Sequence, residues 1–238
     1  MAANPIQIVP LRDALEAPAQ NPRLTYRGGP LLTTVRVYTF FWGAGWQQEP
    51  QAGLIDQLNG FFDYILTSPL MDQLAEYGTE GMTIGHGTRT GTATITDGPA
   101  GTSVSDADIQ AFVGRQVSQP DAEGLYFVFL PPGVSVSLDD GLSCSSFCGY
   151  HSDIDGTIFY AVMPYPDCSG CAGGLALLDA LTSTSSHELC EAITDPIPGQ
   201  GYYDDQNGEI GDICAWQTKQ LGAYMVQLEW SNSAGRCI

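Results

Sequence analysis

Apolar and polar positions follow two rhythms along this chain. From Thr33 to Trp42, TTVRVYTFFW is a β-branched and aromatic run that predicts a buried strand. Between Gly53 and Tyr77 the apolar residues Leu54, Leu58, Phe61, Phe62, Ile65 and Leu66 recur at the three- and four-residue steps of a helix. Pro69 interrupts that rhythm, so a helix, a turn and a short second helix from Leu70 to Tyr77 are expected. GTRTGTATIT alternates as a strand or hairpin arm, and SVSDADIQAFVGRQV predicts a helix capped by Ser105 with acids in its first turn. GLYFVFLPP reads as a second buried strand closed by Pro131 and Pro132, and AYMVQLEWS as a final one.

The stretch from Gly141 to Gly174 is rich in Gly, Pro, Cys and Ser. Apart from the strand-like TIFYAVMPY, it reads as an irregular segment pinned by covalent bonds. Leu175 to Thr194 is a long helical pattern ended by Pro196, with Leu177, Leu178, Leu181, Leu189 and Ile193 on its apolar side. Strands alternating with helices and followed by a buried helix predict an α+β, three-layer domain with a mixed sheet. Prolines at 5, 10, 18 and 22 make residues 1–23 an extended N-terminal arm and leave 24–238 as one domain.

Charge narrows the function. Acidic residues number 27 against 8 basic ones, a net charge of −19, and Lys219 is the single lysine. No basic stripe exists to displace counterions, so neither nucleic acid nor an anionic membrane is the expected partner. No run approaches the ~20 apolar residues of a membrane span. The opening residues lack the basic and then apolar pattern of a secretory leader. Seven cysteines at Cys144, Cys148, Cys168, Cys171, Cys190, Cys214 and Cys237 fit disulfides and an oxidising compartment. The expected bridges are Cys144–Cys148, Cys168–Cys171 and Cys214–Cys237, with Cys190 left over. A zinc site made by Cys144, Cys148, Cys168 and Cys171 is the alternative.

The candidate chemistry lies in STSSHELCEAITDP, Ser183 to Pro196. His187 and Glu191 are four apart on a helix, so both leave one face a turn apart. This is the spacing of the zinc-peptidase signature H-E-x-x-H with Glu in place of the second His. Glu188 would be the general base for a water on the metal, and Glu191 an oxygen ligand. Downstream, NGEIGD supplies Glu209, twenty-two residues after His187, and Asp212. That separation is comparable to the third-ligand glutamate of thermolysin-like and aminopeptidase-like zincins. Glu209 is therefore the expected third ligand, with Asp212 either exchanging that role or accepting a hydrogen bond from His187. Asp195 precedes Pro196 and is expected to point away. His151, in CGYHSDID, is a candidate to line the cleft and stabilise an oxyanion, and His86 a turn residue. The plain alternative is a solvated helix face with Glu188 and Glu191 in water. DDQNGEIGD is no EF-hand, because alignment on Gly208 puts Tyr203 and Cys214 where acids are needed.

Together, LTYRGGPLL (24–32), VRVYTFFWG, CGYH (148–151), SHELCEAITDP (186–196), EIGDIC (209–214) and Cys237 resemble the plant EXORDIUM / phosphate-induced protein family and its bacterial relatives. The resemblance implies a secreted, cysteine-bridged protein linked in plants to growth, and places His151, His187, Glu188, Glu191, Glu209 and Asp212 on family positions. Cys190 departs from a position where the family commonly has a small residue. The expectation is a secreted zinc-dependent metalloprotein of zincin-like fold, a peptidase or amide hydrolase acting on a peptide or protein substrate. Zn²⁺ is the expected ion, with calcium or another divalent ion as alternative. A non-catalytic extracellular binding or growth-signalling module with a structural metal is the rival.

Overall fold

The aromatic and β-branched runs become the central strands of one mixed sheet. The computed structural model describes residues 6, 8–12, 21–99, 101–138 and 141–238. The sheet contains β1 (Ile8–Pro10), β2 (Arg36–Trp42), β3 (Thr88–Ile95), β4 (Gly124–Phe129), β5 (Phe147–Ile154) and β6 (Ile158–Met163). Their spatial order is β1-β5-β6-β4-β2-β3, with β6, β4, β2 and β3 parallel, β5 antiparallel to β6, and β1 antiparallel to β5.

The central strands are buried on both faces. Val37, Phe41, Leu125, Phe127, Phe129, Phe159, Ala161 and Met163 point into one core. Their alternates Phe40, Trp42, Val128, Tyr160 and Val162 point into another. That two-residue period divides the molecule into three layers. Helices α1 (Gln51–Ile65), α2 (Pro69–Leu74) and α5 (Leu177–Thr194) cover the first face, while α3 (Asp106–Gln116) covers the second through Ile109, Phe112 and Val113. Ser105 caps α3 in a reciprocal capping box with Asp108. The fold is α+β with a mixed sheet.

Two stretches differ from their sequence reading. Ile8–Pro10, expected within an extended arm, forms the edge strand β1 on β5. Residues 1–5, 7 and 13–20 of that arm lie outside the described residues. The supposedly irregular CGYHSDI is buried strand β5, held between β6 and β1. Its Gly149 and Asp153 are poor strand formers by propensity, and pairing on both sides overrides that.

The disulfides also correct the sequence reading. Cys144 pairs with Cys168 and Cys148 with Cys171, rather than each with its near neighbour. The short helix α4 (Ser169–Ala172) sits against the start of β5, bringing each pair to Cα separations of 5.8 and 5.3 Å. Four sulfurs in two bridges leave no thiolate for a four-cysteine zinc site. Cys214–Cys237 forms as expected, and Cys190 is free and buried. Three bridges suit an oxidising, extracellular-type environment. Among the described residues no helix is long and apolar enough to cross a membrane. Replacing Cys214 and Cys237 by alanine should lower stability by about 3 kcal/mol, the loop-closure value for a separation of 23 residues. An unchanged urea midpoint under non-reducing conditions would contradict this.

Candidate metal centre

Helix α5 is buried on all sides from Ala180 to Thr194, so its polar residues go inside with the apolar ones. Short hydroxyl side chains let its neighbours come close. Thr182 Oγ1 donates to the Met225 carbonyl at 2.7 Å, and Ser186 Oγ accepts from the Gln227 N–H at 2.9 Å. Both partners belong to the hairpin of β7 (Thr218–Leu221) and β8 (Tyr224–Gln227). On the other side α5 lies against β5 and β6. This is no solvated helix face.

Five side chains converge with no exposure at all: His151 from β5, His187, Glu188 and Glu191 from α5, and Glu209 from the following loop. Glu191 Oε1 lies 2.9 Å from His187 Nε2, yet His187 Nε2 has no hydrogen-bond partner, so the two are near but not aligned. Glu191 Oε1 instead accepts from the Asp212 N–H at 3.2 Å. His151 Nδ1 meets Glu188 Oε2 at 3.2 Å and has Glu191 Oε2 at 3.5 Å. Its Nε2 faces the Asp195 carbonyl at 3.2 Å and Glu209 Oε1 at 3.6 Å. Two donor groups result, His187–Glu188–Glu191 and His151–Glu191–Glu209, each with its atoms within 4.8 Å of one another.

The other expected residues are placed as follows. Glu209 stands beside His151 and Glu191 rather than in the His187 group. Asp212 does not accept from His187. Its Oδ2 takes the Glu209 N–H at 3.0 Å, within a turn that Gly208 makes at a φ of 82°. The partner of His187 Nδ1 is Gln227 Nε2, at 2.8 Å. That amide is oriented by two backbone groups: Nε2 donates to the Gly211 carbonyl and Oε1 accepts from the Trp216 N–H. The ring proton of a neutral His187 therefore sits on Nε2. Binding a cation there would displace that proton and turn the amide, costing about 1–3 kcal/mol for each lost contact. That is small beside the ~10–16 kcal/mol with which zinc binds structural sites. Sequence reading missed Gln227; the available signal was one amide in the apolar run AYMVQLEWS.

Asp195 turns its carboxylate to the N–H groups of Gly199 and Gln200, at 2.6 and 2.9 Å, and so secures the loop after α5. His86 pairs with Asp72 at the surface.

Charge at this centre is unevenly held. Burial opposes a charge on either imidazole, but the glutamates outweigh it, Glu209 foremost for His151 and Glu191 for His187, and raise both well above the ordinary range. Burial also works against Glu191, yet His187 and His151 bring it down to about 2. Burial pushes Glu209 well up and Asp212 to about 7, with Glu191 adding to both.

Hydrogen bonding does not satisfy the cluster. His187 Nε2, Glu188 Oε1, Glu191 Oε2 and both oxygens of Glu209 are buried without partners. Each orphaned group costs about 1–3 kcal/mol, and more when charged. A divalent cation among these nitrogen and oxygen donors would compensate that cost, so the residues fit one. No protein-family model, no curated protein and no solved structure matches this chain.

Proposed function

We propose that this chain is a zinc-dependent metalloprotein on a zincin-like scaffold, resembling the EXORDIUM / phosphate-induced proteins. The observation that carries the reading is the convergence of five fully buried donors, His151, His187, Glu188, Glu191 and Glu209, of which all but His151 keep an unpartnered atom. An imidazole and carboxylate donor set suits zinc better than calcium, which takes oxygen alone.

The reaction we assign is hydrolysis of a peptide or amide bond. A zinc ion bound there supplies Lewis acidity to a carbonyl and acidifies water. Glu188 is fixed through Oε2 by His151, while Oε1 stays open to take a proton. His151, also tied to the Asp195 carbonyl, is held in place beside that carboxylate. A second reading, a non-catalytic extracellular module with a structural ion, is favoured by the complete burial of every donor. Structural zinc sites are closed, whereas catalytic ones keep an open position.

Glu188→Gln tests the use of the centre. As a general base, its loss should slow hydrolysis of a fluorogenic peptide mixture by about 10²–10⁴-fold while zinc stays bound. Absence of hydrolysis by the zinc-loaded parent would remove the catalytic reading and leave the structural one.

A further inference from the structure

The two donor groups share one residue. Glu191 belongs to both, while His187 and Glu188 complete one group and His151 and Glu209 the other. The carboxylate of Glu191 divides accordingly, with Oε1 toward His187 Nε2 and Oε2 toward His151 Nδ1. We propose that the centre holds two divalent ions bridged by Glu191, one on His187 and one on His151 and Glu209, with Glu188 left beside the first as the base. This rests on the metal-centre reading above and goes further, by giving its nuclearity and a ligand role to His151.

Three observations carry it. Each group has its own imidazole and its own carboxylate beside the shared Glu191. Unpartnered atoms occur in both groups: His187 Nε2 and Glu188 Oε1 in the first, and both oxygens of Glu209 in the second. A single ion within reach of one group leaves the buried, unpaired atoms of the other uncompensated. Charge agrees. Glu188, Glu191 and Glu209 carry three negative charges when ionised, and Asp212, hydrogen-bonded to Glu209 and Glu191, carries a fourth. Two divalent ions offset these carboxylates more fully than one, and a further carboxylate nearby, Glu229, is also buried with both oxygens unpartnered. A bridging carboxylate between ions about 3.5–4 Å apart is the usual arrangement of two-metal hydrolytic sites.

Zinc alone is the probe. The full chain, stripped and reloaded, is washed with a chelator of moderate affinity in high salt to clear the acidic surface, and zinc per chain is measured. Two equivalents are expected for the parent, and one for His151→Ala and for Glu209→Gln. One equivalent in the parent overturns the two-ion centre while leaving the metal reading intact; none overturns both. A second measurement avoids variants that fold poorly. Manganese-loaded parent should give the electron paramagnetic resonance spectrum of a spin-coupled pair, and an isolated-ion spectrum at saturation would overturn the proposal.

Discussion

Stripping divalent ions with a strong chelator should lower the melting temperature of this protein by about 8–16 °C. Free zinc at 1,000 times its dissociation constant adds about 4 kcal/mol to folding. For a chain of this size each kcal/mol moves the midpoint by about 2–4 °C. The effect is large because the stripped centre keeps its orphaned oxygens with nothing to replace the ion. It should also invert the pH dependence. In the metal-free fold Asp212 holds its proton up to about pH 7, whereas the unfolded chain releases it near the ordinary carboxylate value. Between those limits the folded state binds the extra proton, so stability of the stripped protein falls as pH rises through that window. Loading reverses the slope, since ions compete with protons at the ligand atoms and their charge draws the neighbouring Asp212 carboxyl down. Calorimetry at pH 5 and pH 8, with and without chelator, measures both effects. Equal midpoints in all four conditions would remove the metal centre.

Gly211→Ala should press a single methyl group directly onto the candidate metal centre. A Cβ there would lie 2.7 Å from His187 Nδ1 and 2.8 Å from two ring carbons. The ring has nowhere to retreat, being buried, held by Gln227 and faced by Glu191. Overpacking of this kind costs about 1–3 kcal/mol. The displaced imidazole should lower zinc affinity by about 10–100-fold, the usual effect of disturbing what orients a ligand. Gly114→Ala is the control, because that glycine of α3 has open space around its missing side chain and no left-handed backbone. Zinc titration of both variants gives the comparison; equal affinities would mean that His187 does not ligate.

The sequence made legible what repeats locally. Strands β2, β4 and β6 announced themselves because burial on both faces demands unbroken apolar runs. The α5 residues of the centre were readable because His187, Glu188 and Glu191 are fixed relative to one another by helix geometry alone. Glu209 was visible as an acid in a turn. What lay hidden was non-local. His151 is separated from Glu188 by 37 positions, and Gln227 from His187 by 40. Strand β5 was obscured because its residues serve the cross-links and the centre. Disulfide pairing was misread for a related reason. Spacing brings neighbours to mind, whereas the approach of α4 to β5 decides which sulfurs meet.

Cys190 imposes an order of events on the making of this molecule. In the finished fold it is inert, because burial, with Glu229 adding, raises its thiol well above the ordinary range and removes the thiolate that exchange requires. In the nascent chain nothing protects it. It is then a seventh sulfur of ordinary acidity, competing with six that must find three partners. Helix α5 must therefore be enclosed before oxidation is complete, so that collapse, not cysteine chemistry, chooses the one sulfur left out.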